Sequence, residues 1–300
     1  MGWARHATSA RSMAPIAAIQ PFTPNLLGQA FGCRPSQYRA GHDNLDMKNL
    51  RPETLGIVER VEALSGCPVE FKPDSGLSVQ ATLQKARHGA TSHVLRYKPG
   101  SGPLDYWVAY QCGFALRFFA LPPDQRFDFA ETGEGTDQAF TLLTSGQSLG
   151  QADIERAPMF ARQIEQWALM TLLSYPVGMR VDQWLHDEFP GLRPLQREGV
   201  DFVQQENLRL LSMAMGHLTV PVPLLGMPAA YALLADQLLN TAAYAIPYRG
   251  AGVLGMGETL LKLNDQVPQG PEHDRALIDA WGQALGVSSW YSWRPYKILS

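Results

Sequence analysis

The chain has 300 residues, 45% of them hydrophobic and 10% aromatic, with a formal net charge of −3. That is enough apolar material for a sizeable core, in one large domain or two modest ones. The near-neutral balance and the lack of a long Lys/Arg run argue against nucleic acid or an anionic membrane surface as a partner, and no apolar run is expected to reach membrane-spanning length.

The cysteines, Cys33, Cys67 and Cys112, are an odd number without metal-ligand spacing. They point to a reducing, cytoplasmic setting without a disulfide framework.

Residues 1–50 read as a poorly ordered amino-terminal arm. Its first forty-two residues lack Asp and Glu and carry Arg5, Arg11, Arg34 and Arg39. A transit-peptide reading is the alternative, and the arm reading allows a start at Met13. The arm's apolar stretch PIAAIQPFTPNLLGQAFG is suited to docking on a partner.

RPETLGIVERVEALSG (51–66) predicts a helix. Pro52 stands near its start, Leu55, Val58, Val61 and Leu64 recur at helical spacing, and Gly66 stops it. CPVEFKPD (67–74), LSVQATLQKAR (77–87) and TSHVLRYKP (91–99) read as three strands, followed by a helix over 103–120. The polar stretch PPDQRFDFAETGEGTDQ belongs to an expected loop or linker, 122–156. Residues 157–287 read as six helical segments, the first ending at Pro176 and the second starting at Gly178, followed by an aromatic tail, SSWYSWRPYKILS (288–300). Strands gathered early and helices late make an α+β chain.

The middle of the 103–120 helix reads Tyr110-Gln111-Cys112-Gly113-Phe114. Three substitutions would turn it into H-E-C-G-H. In H-E-x-x-H, two His four apart share one helical face and bind one zinc ion, and the Glu deprotonates the zinc-bound water. Here Tyr110 is a poor ligand unless ionised, Phe114 has no lone pair, and Gln111 cannot act as a base near neutrality. Val108, Cys112, Ala115 and Phe119 make one apolar face. Trp107, Tyr110, Phe114 and Phe118 make another, so the helix is expected to be buried on two sides. An ordinary core helix of an unrelated fold would share that pattern.

With its flanks, SHVLRYKPG before and GMRVDQWLHDEFPGLRPLQ after, this segment resembles the compact bacterial H-E-x-x-H metallopeptidases of the zincin group, the ImmA/IrrE-like kind, over about residues 51–215. The resemblance implies a zincin-like core over 51–121: a helix, a small three-stranded sheet and the zinc-type helix. It also implies an acidic third ligand on a later helix, matched by Asp182. Since Tyr110, Gln111 and Phe114 replace both histidines and the base, it implies no catalytic residue, no metal and no cofactor. The expected role is that of a binding or structural subunit of a bacterial protein assembly, with another protein as partner, neither nucleic acid nor membrane, and a former cleft plugged by aromatic rings.

Other features compete with this reading. Gly250, Gly252 and Gly255 form G-x-G-x-x-G, but a dinucleotide site needs a preceding strand; a loop between helices fits better. Cys112 with His93 or His88 could form a Cys-His hydrolase, although Cys112 lies in an apolar stripe. Asp182 and His186, four apart, could hold a relocated metal; otherwise they and Asp187 and Glu188 form a solvated helix end paired with Arg180 or Arg193. His217 reads as a packed or capping histidine. Strand 91–98 could offer a free edge to an extended peptide. In the tail, Trp290, Tyr291, Trp293, Arg294 and Tyr296 fit either an interface hot spot or a segment tucked into the chain's own core.

Overall fold

The computed structural model describes residues 50–87, 89–145, 149–215 and 217–296. The arm 1–49, with Cys33, and also His88 and Lys297, lie outside the described residues.

Helix α1 (Pro52–Ser65) buries Ile57, Val58 and Val61 and ends at Gly66. Gly66 takes a φ of 71°, a left-handed conformation that favours glycine. Three short strands follow, β1 (Val69–Pro73), β2 (Ala81–Gln84) and β3 (His93–Tyr97). Their order in the sheet is β1-β3-β2. β1 runs parallel to β3, with Val69 opposite His93, and β2 runs antiparallel, with Leu83 opposite Leu95.

This order corrects one expectation. The strand read at 91–98 is the central one, hydrogen-bonded on both sides, and has no edge to offer a peptide. β2 is the outer strand on the side of the next helix. Residues 81 and 83 point their backbone groups away from β3, as the bond between Lys98 N–H and Gln80 O fixes.

Helix α2 (Leu104–Ala120) is the zinc-type helix of the sequence reading. Every residue from Tyr106 to Leu116 is buried, because α1 and β2 cover one side and the later helices the other.

The described part of the stretch expected as a linker over 122–156 is instead structured, with residues 146–148 outside the described residues. It contains β4 (Phe127–Glu131), α3 (Gly135–Thr144) and the start of α4 (Gln151–Glu188). β4 pairs antiparallel with β7 (Tyr291–Pro295), placing Phe129 opposite Trp293. This pairing also corrects the hot-spot reading of the tail. Trp290, Tyr291 and Tyr296 are buried in the chain's own fold, Trp293 is half-buried, and of the five only Arg294 is exposed. Tyr291 stacks on Phe129 at 4.6 Å between ring centres, and Trp290 Nε1 donates to Gln138 Oε1 at 2.6 Å.

The two helical segments expected on either side of Pro176 are one continuous helix, α4, with Pro158 and Pro176 inside it. After it come α5 (Arg193–Leu211), a two-strand ribbon of β5 (Ala214–Met215) and β6 (Leu218–Thr219), α6 (Gly226–Leu239), α7 (Ile246–Gly250), α8 (Leu254–Gln266) and α9 (Asp274–Ala284). The architecture is α+β: small sheets and a mostly helical carboxy-terminal region. One buried cluster runs from Leu50 through α2 and α4 to Tyr291.

One stretch among the described residues, Val222–Leu239, is long and apolar enough to cross a membrane, contrary to the sequence expectation. It is 67% buried inside the fold, as the core helix α6 must be.

Candidate functional site

The α2 face that carries Tyr106, Tyr110 and Phe114 meets α4. Glycines set how close the two helices come. A β-carbon on Gly113 would strike Val181 of α4, and one on Gly178 would strike the Tyr110 hydroxyl and crowd Phe114. Tyr106 lies where a β-carbon of Gly199 on α5 would be. The rings therefore occupy space that the facing helices leave free by lacking side chains. Tyr106, Tyr110 and Phe114 form a continuous row, with centroid separations of 5.8 and 5.2 Å.

The chain fold brings Asp182, the residue matched to a third ligand, to this row. It is fully buried. Its Oδ1 accepts hydrogen bonds from the Tyr106 hydroxyl at 2.9 Å and Gln196 Nε2 at 3.1 Å. Its Oδ2 accepts one from the Tyr231 hydroxyl at 2.7 Å. Gln196 Nε2 also donates to the Asp182 carbonyl at 2.7 Å. Burial pushes the Asp182 carboxyl up to about 6, although these three donors pull it down. Burial, reinforced by the Asp182 charge, holds the phenols of Tyr106, Tyr110 and Tyr231 well above their ordinary range. All three stay neutral, and neutral phenols are poor metal ligands.

This placement overturns the solvated-end reading of Asp182. Arg180 points elsewhere, to Asp274 and the Val267 carbonyl, and Arg193 donates to the His186 carbonyl. His186 Nδ1 lies 3.3 Å from Gln196 Oε1, so one glutamine bridges Asp182 and His186. Asp187 and Glu188 are exposed. Among the described residues, no group of three or more His, Cys, Asp or Glu side chains is arranged to hold a metal ion.

Gln111 does not turn toward this row. Its Oε1 accepts the Leu83 N–H, on the outer edge of β2, at 3.4 Å. Its Nε2 is buried without a partner among the described residues.

The Cys-His alternative loses its geometry. Cys112 is fully buried, and burial, with Glu62 adding to it, pushes its thiol up to about 12. His93 Nδ1 accepts the Ala86 N–H at 2.8 Å, and Nε2 meets the Ser65 hydroxyl at 2.8 Å. Neither nitrogen is left to serve Cys112. His217 is exposed in the turn of the β5–β6 ribbon rather than packed, and its N–H reaches Asp153. Gly250 closes α7, Gly252 takes a φ of 73° and Gly255 lies in α8, so a helix precedes the glycines where a dinucleotide site needs a strand.

Sequence reasoning missed Tyr106, Gln196 and Tyr231. Tyr106 stands one helical turn before Tyr110, a signal that was present. Gln196 and Tyr231 arrive from helices far along the chain and carry no local signal. No family model, curated protein or solved structure matches this chain.

Proposed function

We propose that the protein is a catalytically silent relative of zinc metallopeptidases, acting in the cytoplasm as a binding or structural subunit of a bacterial protein assembly. One observation carries the reading. Asp182, matched in sequence as the acidic ligand, arrives beside the α2 face of Tyr110 and Phe114, and is there tied to two tyrosines and a glutamine. The order of helix, sheet and buried α2 also supports it, and the free Cys67 and Cys112 fit a reducing compartment. With the ligand positions filled by packed rings, the frame serves by holding its shape for a partner protein.

The triple variant Tyr110→His, Gln111→Glu, Phe114→His tests this. The new polar groups enter a packed site at about 1–3 kcal/mol for each left unpaired, and the lost rings cost several kcal/mol more. The variant is expected to melt earlier than the natural protein and to cleave no peptide in zinc. Zinc-dependent cleavage at an unchanged melting temperature would show an open cleft that lacks only its ligands.

A further inference from the structure

Beyond Phe114, on the side of α2 toward β4 and α9, lies a cavity of roughly 320 Å³. That is at the small end of the range for ligand pockets, about 300–1,000 Å³. Its walls are mainly apolar: Phe114 and Phe118 from α2, Phe127 and Phe129 from β4, Val177 from α4 and Trp293 from β7. The aromatic tail thus supplies a wall of a partly open cavity.

The charges around the cavity are mostly committed. Arg87 makes two hydrogen bonds to the Asp128 carboxylate, at 2.8 and 2.7 Å. Arg117 makes two to Asp274, at 2.7 and 2.6 Å, and Asp274 takes a third from Arg180. Arg275 lies over the Phe127 and Trp293 rings, near Asp279. Lys85 is the exception. Its ammonium sits 3.3 Å from the centre of the Phe118 ring and 5.5 Å from that of Tyr296. It has no hydrogen-bond acceptor or ion-pair partner among the described residues. A ring face attracts a cation but accepts none of its three N–H bonds in the way an anion would.

We propose that this cavity binds a small amphipathic carboxylate, of the short fatty acid or arylalkanoate class, whose carboxylate pairs with Lys85 and whose body lies against Phe114, Phe118, Phe127 and Trp293. The charge count selects a monoanion. A phosphate would bring a second negative charge beside Asp128, Glu272 and Asp274, which also line the cavity, with one uncommitted ammonium among the described residues to meet it. An uncharged apolar ligand would leave Lys85 buried deeper and still without an acceptor, which is costly.

The surroundings of Lys85 make binding depend on pH. Burial pulls its ammonium down to about 7, Asp128 opposes this, and Arg87 and Arg126 add to it. His93 on β3 and Tyr296 after β7 are further titratable groups near it. A carboxylate holds the proton on Lys85. Binding is therefore full below about pH 7 and weakens as pH rises, approaching tenfold per pH unit while free Lys85 is neutral. The inference does not rest on the metallopeptidase-like reading: the two share the Phe114 ring, but none of Tyr106, Asp182, Gln196 and Tyr231 lines the cavity.

The test is calorimetric titration of the full chain with octanoate and 3-phenylpropionate, and with their primary amides, between pH 6 and 9. The acids are expected to bind at least about tenfold more tightly than the amides at pH 6.5, as a charge-assisted hydrogen bond allows, and to lose that preference by pH 9. Lys85→Met is expected to bind acid and amide alike. Equal affinity for acid and amide in the natural protein, a preference unchanged with pH, acid binding by Lys85→Met at wild-type strength, or no binding of either acid at millimolar concentration would each overturn the proposal. The comparison of acid with amide needs no variant, so it stands even if Lys85→Met fails to fold.

Discussion

Replacing Asp182 by Asn isolates the energetics of the buried cluster. In the folded chain the carboxyl titrates at about 6, whereas its ordinary value is 3.8. Between those two values the folded protein keeps a proton that the unfolded chain has already released. The stability this group contributes is therefore complete below about pH 3.8 and is lost as pH rises through about 6. A gap of about two pH units, at about 1.4 kcal/mol each, amounts to about 3 kcal/mol. Asn has the shape of the acid, keeps an oxygen for one tyrosine hydroxyl, and has no proton to lose. Urea unfolding of the natural chain and of Asp182→Asn, measured at intervals from pH 4 to pH 7.5, gives the difference in stability at each pH. Every other titrating group is common to both proteins and cancels. The natural chain is expected to lose about 2.4 kcal/mol relative to the variant across this range, the first part of the ~3 kcal/mol having gone by pH 4. A difference that stays flat with pH would mean that Asp182 is ionised as easily folded as unfolded, and the closed, water-free cluster would be refuted.

Two further substitutions test the packing around the site. Asp274 accepts hydrogen bonds from both Arg117 and Arg180, and Arg180 is 3% exposed. Asp274→Ala is expected to cost about 3–5 kcal/mol in chemical denaturation, since it strands a buried guanidinium; a loss below about 1 kcal/mol, the value of a surface pair, would contradict the buried triad. Trp290→Ala removes a fully buried ring and its bond to Gln138. It is expected to destabilise the fold by about 3–5 kcal/mol, whereas a variant that melts like the natural chain would return the tail to the surface as an interface.

The sequence made the helices legible wherever apolar residues recur at helical spacing, as in α1, α2 and α9. It also showed that α2 is apolar on two faces, and burial of every residue from Tyr106 to Leu116 matches that. It misled at α4, where Pro176 was read as a break. An interior proline costs a helix about 3 kcal/mol, but Pro176 is buried among packed neighbours on a 38-residue helix, and that packing outweighs the local preference. β4 was hidden in a polar stretch because its partner, β7, lies some 160 residues downstream and supplies the pairing that FDFAE alone cannot advertise. Strand order was invisible for a related reason. His93–Tyr97 alternates like any half-buried strand, and nothing local tells a central strand from an edge. At the site, Asp182 was found through a resemblance in its flanking helix, while its partners Tyr231 and Gln196 were not. Lys85 was missed because a lysine ending the run ATLQ reads as a solvated strand end until Phe118 and Tyr296 are folded over it.

The central claim is that the α2 frame holds packed rings and a tyrosine-bound acid where a zinc centre would stand. It is tested most directly by titrating zinc into the purified, metal-stripped chain and measuring the metal retained after gel filtration. The account predicts no saturable site and retention well below one zinc per chain, unchanged in Asp182→Ala. Tight retention of one zinc per chain, abolished by Asp182→Ala or His186→Ala, would contradict it and establish a working metal centre.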